Sequence, residues 1–151
     1  GDTRRALALF EEALQIRQRL GAVFGIATLE HNIGDALTAL GDPEAAIPHM
    51  RECVRLNRGY NDLHGLAQGL AGTARIWLAQ DRRHADAARL LGFSGPHLGY
   101  PGPTAGGSDH VAFEEQLALA RARLGEPGLA EALAAGARMP AAEAGELALG
   151  D

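Results

Sequence analysis

Apolar residues recur at helical spacing along most of this chain, and the pattern is clearest between residues 32 and 56. That stretch reads NIGDALTALGDPEAAIPHMRECVRL. In its second part Ala46, Met50 and Cys53 follow one another at i, i+4 and i+7, so they share one face of a helix. In its first part Ile33 and Leu37 lie one turn apart. The pattern predicts two consecutive amphipathic helices.

The turn between these two helices has its own signals. Gly41 tolerates the left-handed conformation that ends a helix. Asp42 is suited to cap the next helix and Pro43 to open it. Pro48 departs from the pattern, because proline inside a helix removes a hydrogen bond and favours a bend. The stretch therefore predicts a helix–turn–helix unit.

Copies of this unit precede and follow it. Residues 1–20 repeat its second half, with Asp2 at the cap, 40 residues before Asp42. The segment 21–25 is the predicted turn into a helix of roughly 25–40. A third unit starts at Asn61-Asp62 and continues to about Gln80. Its matching positions are Leu66, Leu70, Ala74 and Trp77, and its glycines at 65, 69 and 72 indicate close helix–helix approach.

The pattern changes after the third unit. Asp81 is the predicted cap of a helix over residues 85–92. Residues 93–108, FSGPHLGYPGPTAGGS, contain five glycines and three prolines, which predicts a long and mobile loop. A helix capped by Ser108 or Asp109 follows and stops at residues 125–128. Two shorter helices, of about 128–137 and from Pro140 onward, complete the chain.

The helix–turn–helix unit resembles the core of a tetratricopeptide repeat (TPR), in which the pattern is Asn-Leu-Gly, Gly-Asp, Ala-Ile and Ala-Leu. The resemblance implies an all-α fold, a right-handed α-solenoid of TPR-like antiparallel helix pairs. It divides the chain into repeats at 1–92, with the first repeat truncated, the loop at 93–108 and capping helices at 109–151. Since the chain begins within a repeat and lacks an initiator Met, we expect a piece of a longer protein.

Two further segments carry a more specific resemblance. AARLLG (87–92) and ARARLGEPGLAEALAAGARMPAAEAGELAL (120–149) resemble the C-terminal TPR-like region of large ATP-binding bacterial transcriptional regulators of the LuxR type. The long Gly/Pro-rich loop is a departure from that family. The resemblance implies a non-catalytic region that binds a protein or effector and regulates a nucleotide switch. A free-standing TPR adaptor or scaffold, or the sensor segment of a signalling enzyme, are the alternatives.

Composition narrows the functional classes that the two resemblances leave open. Hydrophobic residues make up 46% and aromatic residues 5% of the 151-residue chain, which is typical of Leu- and Ala-rich packed helices. The net charge of −5 argues against direct nucleic-acid contact. A single cysteine excludes an internal disulfide and favours a cytoplasmic location. No apolar run approaches the ~20 residues of a membrane helix.

Candidate chemistry is sparse. The six histidines form no metal-binding spacing, and no phosphate loop or nucleophile–base pair is recognisable. We therefore predict no enzyme activity, no metal and no cofactor. His97, Tyr100 and His110 flank the predicted loop, where they are either ordinary polar loop residues or contacts to a ligand. Cys53 is expected to be buried and inert.

The resemblance to TPR proteins implies a concave groove lined by the first helix of each unit. The residues placed there are Thr28, His31, Asp35, Thr38, Gln68 and Arg75. Lys and Asn of the family's carboxylate clamp are missing from these positions, so a C-terminal carboxylate is an unlikely ligand. These residues either bind a partner protein or small effector or simply solvate an open face.

The first helix carries an expectation of its own. Leu7, Leu9, Phe10 and Leu14 would lack neighbours on one side if the preceding half-repeat were absent. Because each such side chain gains about 1.5–3 kcal/mol from full burial, we expect a homodimer through the N-terminal helix.

Overall fold

The computed structural model describes residues 1–100 and 108–150, and within these ranges the chain forms seven α-helices and no strand. Consecutive helices pack against one another from α1 to α6. The described chain is thus an all-α helical-repeat solenoid, as predicted. The helices are α1 (Asp2–Arg19), α2 (Ile26–Ala39), α3 (Pro43–Tyr60), α4 (Leu63–Ala79), α5 (His84–Leu98), α6 (Ser108–Ala137) and α7 (Ala141–Leu149).

Two helix starts follow from local sequence as expected. The Asp42 carboxylate accepts a hydrogen bond from the amide of Ala45 at 3.1 Å. The Asp62 carboxylate accepts one from the amide of Gly65 at 2.9 Å. Each bond satisfies an amide that has no partner within its own helix. The predicted caps of α3 and α4 are therefore confirmed.

Two other predicted caps are wrong. Asp2 is already the first residue of α1, and Arg83, with φ of 52°, occupies the position before α5. The Asp81 carboxylate instead contacts Nε2 of His84 at 2.8 Å and the guanidinium of Arg123 at 2.9 Å. Asp81 therefore links the start of α5 to α6 through its side chain, a contact between distant segments that local sequence does not reveal.

Helix α5 is longer than predicted. It continues to Leu98, so the first six residues of the predicted loop at 93–108 are helical. Phe93 in this segment is buried, and a Cβ on Gly95 would lie 3.3 Å from the ring of Phe113 in α6. Close packing against α6 thus outweighs the low helix propensity of glycine and proline.

Gly99 and Tyr100 of the predicted loop follow α5, and residues 101–107 lie outside the described residues. Helix α6 then begins at Ser108 and changes direction at Gly125, which has φ of 74° and ψ of 168°. Pro127 follows at once. The break predicted at 125–128 is confirmed, and it divides α6 into a first part (108–124) and a second part (126–137).

The second part of α6 crosses α5 with backbone against backbone. A Cβ added to Gly92 would overlap the backbone of Leu133, and one added to Gly136 would overlap the carbonyl of Arg89. Both glycines are buried. Only a residue without a side chain allows so close an approach at these two positions.

Glycines in α4 have the role that the sequence predicted. A Cβ on Gly69 would lie 3.0 Å from Val54 and 3.2 Å from Sγ of Cys53, and one on Gly72 would overlap the side chain of Met50. These neighbours all belong to α3. The small residues of α4 therefore permit close packing between α3 and α4.

Three helices of the described chain share one surface. Helix α4 contacts both α2 and α6, while α7 folds back onto α3, α4 and α5. We call the surface shared by α2, α4 and the first part of α6 the inner face. A continuous core lies behind it, and its largest fully buried apolar side chains are Met50, Leu70, Ile76, Leu90 and Leu91.

Helix α1 contributes little to this core. Only Leu14 of α1 is buried, whereas the sequence reading placed Leu14 among residues lacking neighbours. Exposed apolar side chains continue from α1 into the following turn: Leu9, Ile16, Leu20, Val23 and Phe24.

Among the described residues, no helix is both long and apolar enough to span a membrane.

Candidate functional site

A recess of about 180 Å³ opens on the inner face. Helices α2 and α4 form one side of it, and the end of α5 and the first part of α6 form the other. The residues that line it are His31, Asp35, His64, Gln68, Ala71, Gly72, Arg75, Leu98, Tyr100, Ala112, Phe113 and Gln116. Four segments distant in sequence thus meet around one space.

One side of the recess carries charge. The guanidinium of Arg75 in α4 lies 3.4 Å from the carboxylate of Asp35 in α2. Nε2 of His31, one turn before Asp35, lies 3.8 Å from the same carboxylate. All three side chains are partly exposed, so the pair is accessible to a ligand while it joins α2 to α4.

The opposite side is aromatic. The ring of Tyr100, just after α5, lies 5.2 Å from the ring of Phe113 in α6 and 5.2 Å from that of His110. These separations are typical of favourable contacts between aromatic rings. Leu98 extends this wall.

Between these two sides the recess is lined by Gln116, whose side chain is buried. Gln116 is only 7% exposed, and its Oε1 has no hydrogen-bond partner among the described residues. Nearby, Nδ1 of His110 is also buried without a partner in that part of the chain. Buried polar atoms are nearly always paired in proteins. The Gln116 amide is therefore an unsatisfied group in the wall of the recess.

The structure brings together four of the six predicted groove residues, namely His31, Asp35, Gln68 and Arg75. Neither Thr28 nor Thr38 lines the recess. Thr28 is exposed, and the Thr38 hydroxyl donates a hydrogen bond to the carbonyl of Gly34 in its own helix at 2.8 Å.

The structure places the three candidates near the predicted loop in different environments. Tyr100 lines the recess, and His110 lies beside it against the Tyr100 ring. His97 instead packs against Phe93, with ring centroids 4.5 Å apart. Of the three candidates, Tyr100 and His110 therefore lie at or beside the recess, and His97 does not.

The sequence did not single out Phe113 or Gln116. Both lie in α6, one turn apart and on its buried face. Helical periodicity marks such positions as core, but it gives no sign that a glutamine among them faces a cavity. Only the packing of α6 against α4 and α5 shows this.

The chemistry available here is that of binding. The recess presents one ion pair, several hydrogen-bonding groups and an aromatic wall. No group of three metal-ligating side chains occurs in residues 1–100 or 108–150.

Away from the recess, Nδ1 of His49 contacts the buried Glu30 carboxylate at 2.6 Å and joins α3 to α2.

Cys53 does not reach this surface. Its side chain is buried in the core, and burial raises the pKa of its thiol to about 12. Its Sγ lies 3.4 Å from Nδ2 of Asn57, which partly offsets that effect. A protonated, inaccessible thiol is a poor nucleophile, as expected from the sequence.

Comparison with known proteins gives one match. A family described as tetratricopeptide repeat matches residues 1–59. No curated protein and no solved structure matches the chain. The matched segment contains α1, α2 and nearly all of α3, whereas the recess also uses α4, α5 and α6. Residues 1–59 are a TPR-like region, and the helical-repeat architecture continues beyond it.

Proposed function

We propose that this chain is a non-catalytic, cytoplasmic binding and regulatory region of a bacterial transcriptional regulator. A partner protein or small effector occupies its inner face. The recess between α2, α4, α5 and α6 carries this proposal, because it gathers polar groups from α2 and α4 and an aromatic wall from Tyr100 and α6. The TPR-like region supports protein interaction, and the resemblance of residues 87–92 and 120–149 to LuxR-type regulators supports the transcriptional setting.

The regulatory step follows from the position of the recess. A ligand that contacts Asp35 in α2, Arg75 in α4 and Gln116 in α6 favours the arrangement of helices in which all three lie close together. Binding then shifts the population of solenoid conformations by its difference in affinity between them. An adjoining nucleotide-binding domain would sense that shift through its contact with the solenoid.

A reporter experiment with the complete reading frame tests this proposal. Arg75→Glu places a second carboxylate beside Asp35, and we expect it to alter regulated transcription at least several-fold while melting remains cooperative. Arg55→Glu is the matched control, because Arg55 is 53% exposed and lies outside the recess.

Two results would contradict the proposal. One is a reading frame that lacks both a nucleotide-binding domain and a helix–turn–helix domain. The other is equal regulation by Arg75→Glu, Arg55→Glu and the parent protein.

We also propose that α1 supports a homodimer. Leu9, Ile16 and Leu20 lie at i, i+7 and i+11, so they form a stripe along one face of α1 and the residue that follows it. They are 59%, 41% and 77% exposed. Burying such a stripe against its copy removes apolar surface from water. Sedimentation velocity should show a concentration-dependent dimer that Leu20→Glu and Phe10→Glu weaken. A parent chain that stays monomeric at millimolar concentration would contradict this.

A further inference from the structure

We propose that the recess on the inner face binds a tyrosine side chain of a partner protein, whose phenol hydroxyl pairs with the Gln116 amide. This inference rests on the proposed binding role of the inner face and names the group that enters it. Four observations lead to it: the size of the recess, its walls, its charge and the unpaired amide.

The size of the recess selects a single side chain. Its volume is about 180 Å³, whereas pockets for drug-sized ligands hold about 300–1,000 Å³. A cavity of about 150 Å³ accommodates benzene. The recess therefore fits one six-membered ring with a substituent.

The walls favour an aromatic ring. Tyr100, Phe113 and Leu98 line one side, and Phe113 is only 5% exposed. The Tyr100 ring is partly exposed and tilted by 43° to the buried Phe113 ring, so a further ring can pack against Tyr100 at a tilt. Aromatic pairs of this kind are favourable beyond the area that they bury.

The charges of the recess favour a neutral group. Among the described residues that line it, Arg75 carries a guanidinium and Asp35 a carboxylate, and the two are already paired at 3.4 Å. A charged ligand would be attracted by one member of this pair and repelled by the other, so it gains little net electrostatic energy. An uncharged ring does not have to compete with this pair.

The amide of Gln116 then distinguishes phenol from benzene. Its Oε1 is buried without a partner among the described residues, so the side chain must turn toward the recess for a ligand to reach that atom. A phenol hydroxyl both donates and accepts hydrogen bonds, so it satisfies this amide in either of the two orientations that an amide can take. A phenylalanine ring would leave the amide unpaired and lose the corresponding affinity.

The experiment is a titration of the chain with N-acetyl-tyrosinamide, N-acetyl-phenylalaninamide and N-acetyl-tryptophanamide, followed by the NMR shifts of side-chain amides. We expect the tyrosine compound to bind about tenfold more tightly than the phenylalanine compound. We also expect it to shift the Gln116 side-chain amide. In Gln116→Met, which keeps the length of the side chain without its amide, the two compounds should bind equally.

Gln15→Met is the matched control, because Gln15 is exposed on α1, and it should retain the preference for tyrosine. Equal binding of all three compounds, tighter binding of the tryptophan compound, or an unchanged Gln116 amide would each overturn the inference. The comparison of compounds on the parent chain stands even if Gln116→Met does not fold. If the tyrosine compound shows no preference over the phenylalanine compound while Arg75→Glu still alters transcription, only this inference is wrong and the proposed function remains.

Discussion

Helices α1 and α4 have nearly the same length, 18 and 17 residues, but opposite environments. Eleven residues of α4 are buried, compared with one residue of α1. Helix α4 packs against α2, α3, α5, α6 and α7, whereas α1 packs against α2. Both helices contain leucines at helical spacing. The two sequences differ as well, because α1 carries seven charged residues and α4 carries only Arg75. The difference teaches that a helix of a solenoid stabilises it most when an apolar sequence and neighbours on several sides coincide.

The same comparison explains why the recess lies where it does. Helix α4 is held on several sides, so it presents Gln68 and Arg75 from a fixed position. Rigid elements position binding groups more accurately than mobile ones do. Helix α1 offers exposed apolar side chains instead, which suit association between chains.

Truncation of one leucine in each helix should show the largest contrast. Leu70 is fully buried, so Leu70→Ala should lower the free energy of unfolding by about 2–5 kcal/mol. Leu9 is 59% exposed, so Leu9→Ala should change it by less than about 0.5 kcal/mol. Urea unfolding followed by circular dichroism measures both. Equal losses would show that α1 is as well supported as α4.

The second-largest change in stability is expected at the backbone contact between α5 and α6. Gly136→Ala places a Cβ against the Arg89 carbonyl, and we expect it to cost about 1–3 kcal/mol. The matched control is Gly59→Ala in α3, where an added Cβ has no neighbour within 4 Å. That variant should gain up to about 1 kcal/mol, because alanine favours helix more than glycine does. Thermal melting of the two variants should move in opposite directions, and a shared direction would contradict the close crossing.

The smallest effect concerns pH. Burial raises the pKa of the Cys53 thiol from 9.0 to about 12, so the folded chain retains a proton that the unfolded chain releases between these values. Stability from this group is complete below pH 9 and is lost as the pH rises toward 12. At pH 10 the loss should be about 1 kcal/mol. Cys53→Ala should show a correspondingly flatter decline between pH 8 and 10, and identical slopes would contradict the burial of the thiol.

Local sequence determined the repeat architecture of this protein. Apolar spacing predicted helices α2, α3 and α4, and Asp42 and Asp62 marked where two of them begin. These features depend on residues within a turn or two of one another, so they can be predicted from the sequence without knowledge of the fold. The prediction that residues 93–98 form a loop failed because it weighed glycine and proline without the partner helix that buries them.

Tertiary structure alone decided which of the predicted groove residues meet Tyr100 and Gln116 in one recess. It placed Asp35, Arg75, Tyr100 and Gln116 around one recess, although 81 residues of sequence separate the first from the last. It also brought Gly136 against the Arg89 backbone. Such contacts depend on how whole helices pack, and the spacing of side chains within one helix holds no information on which distant helix will face them.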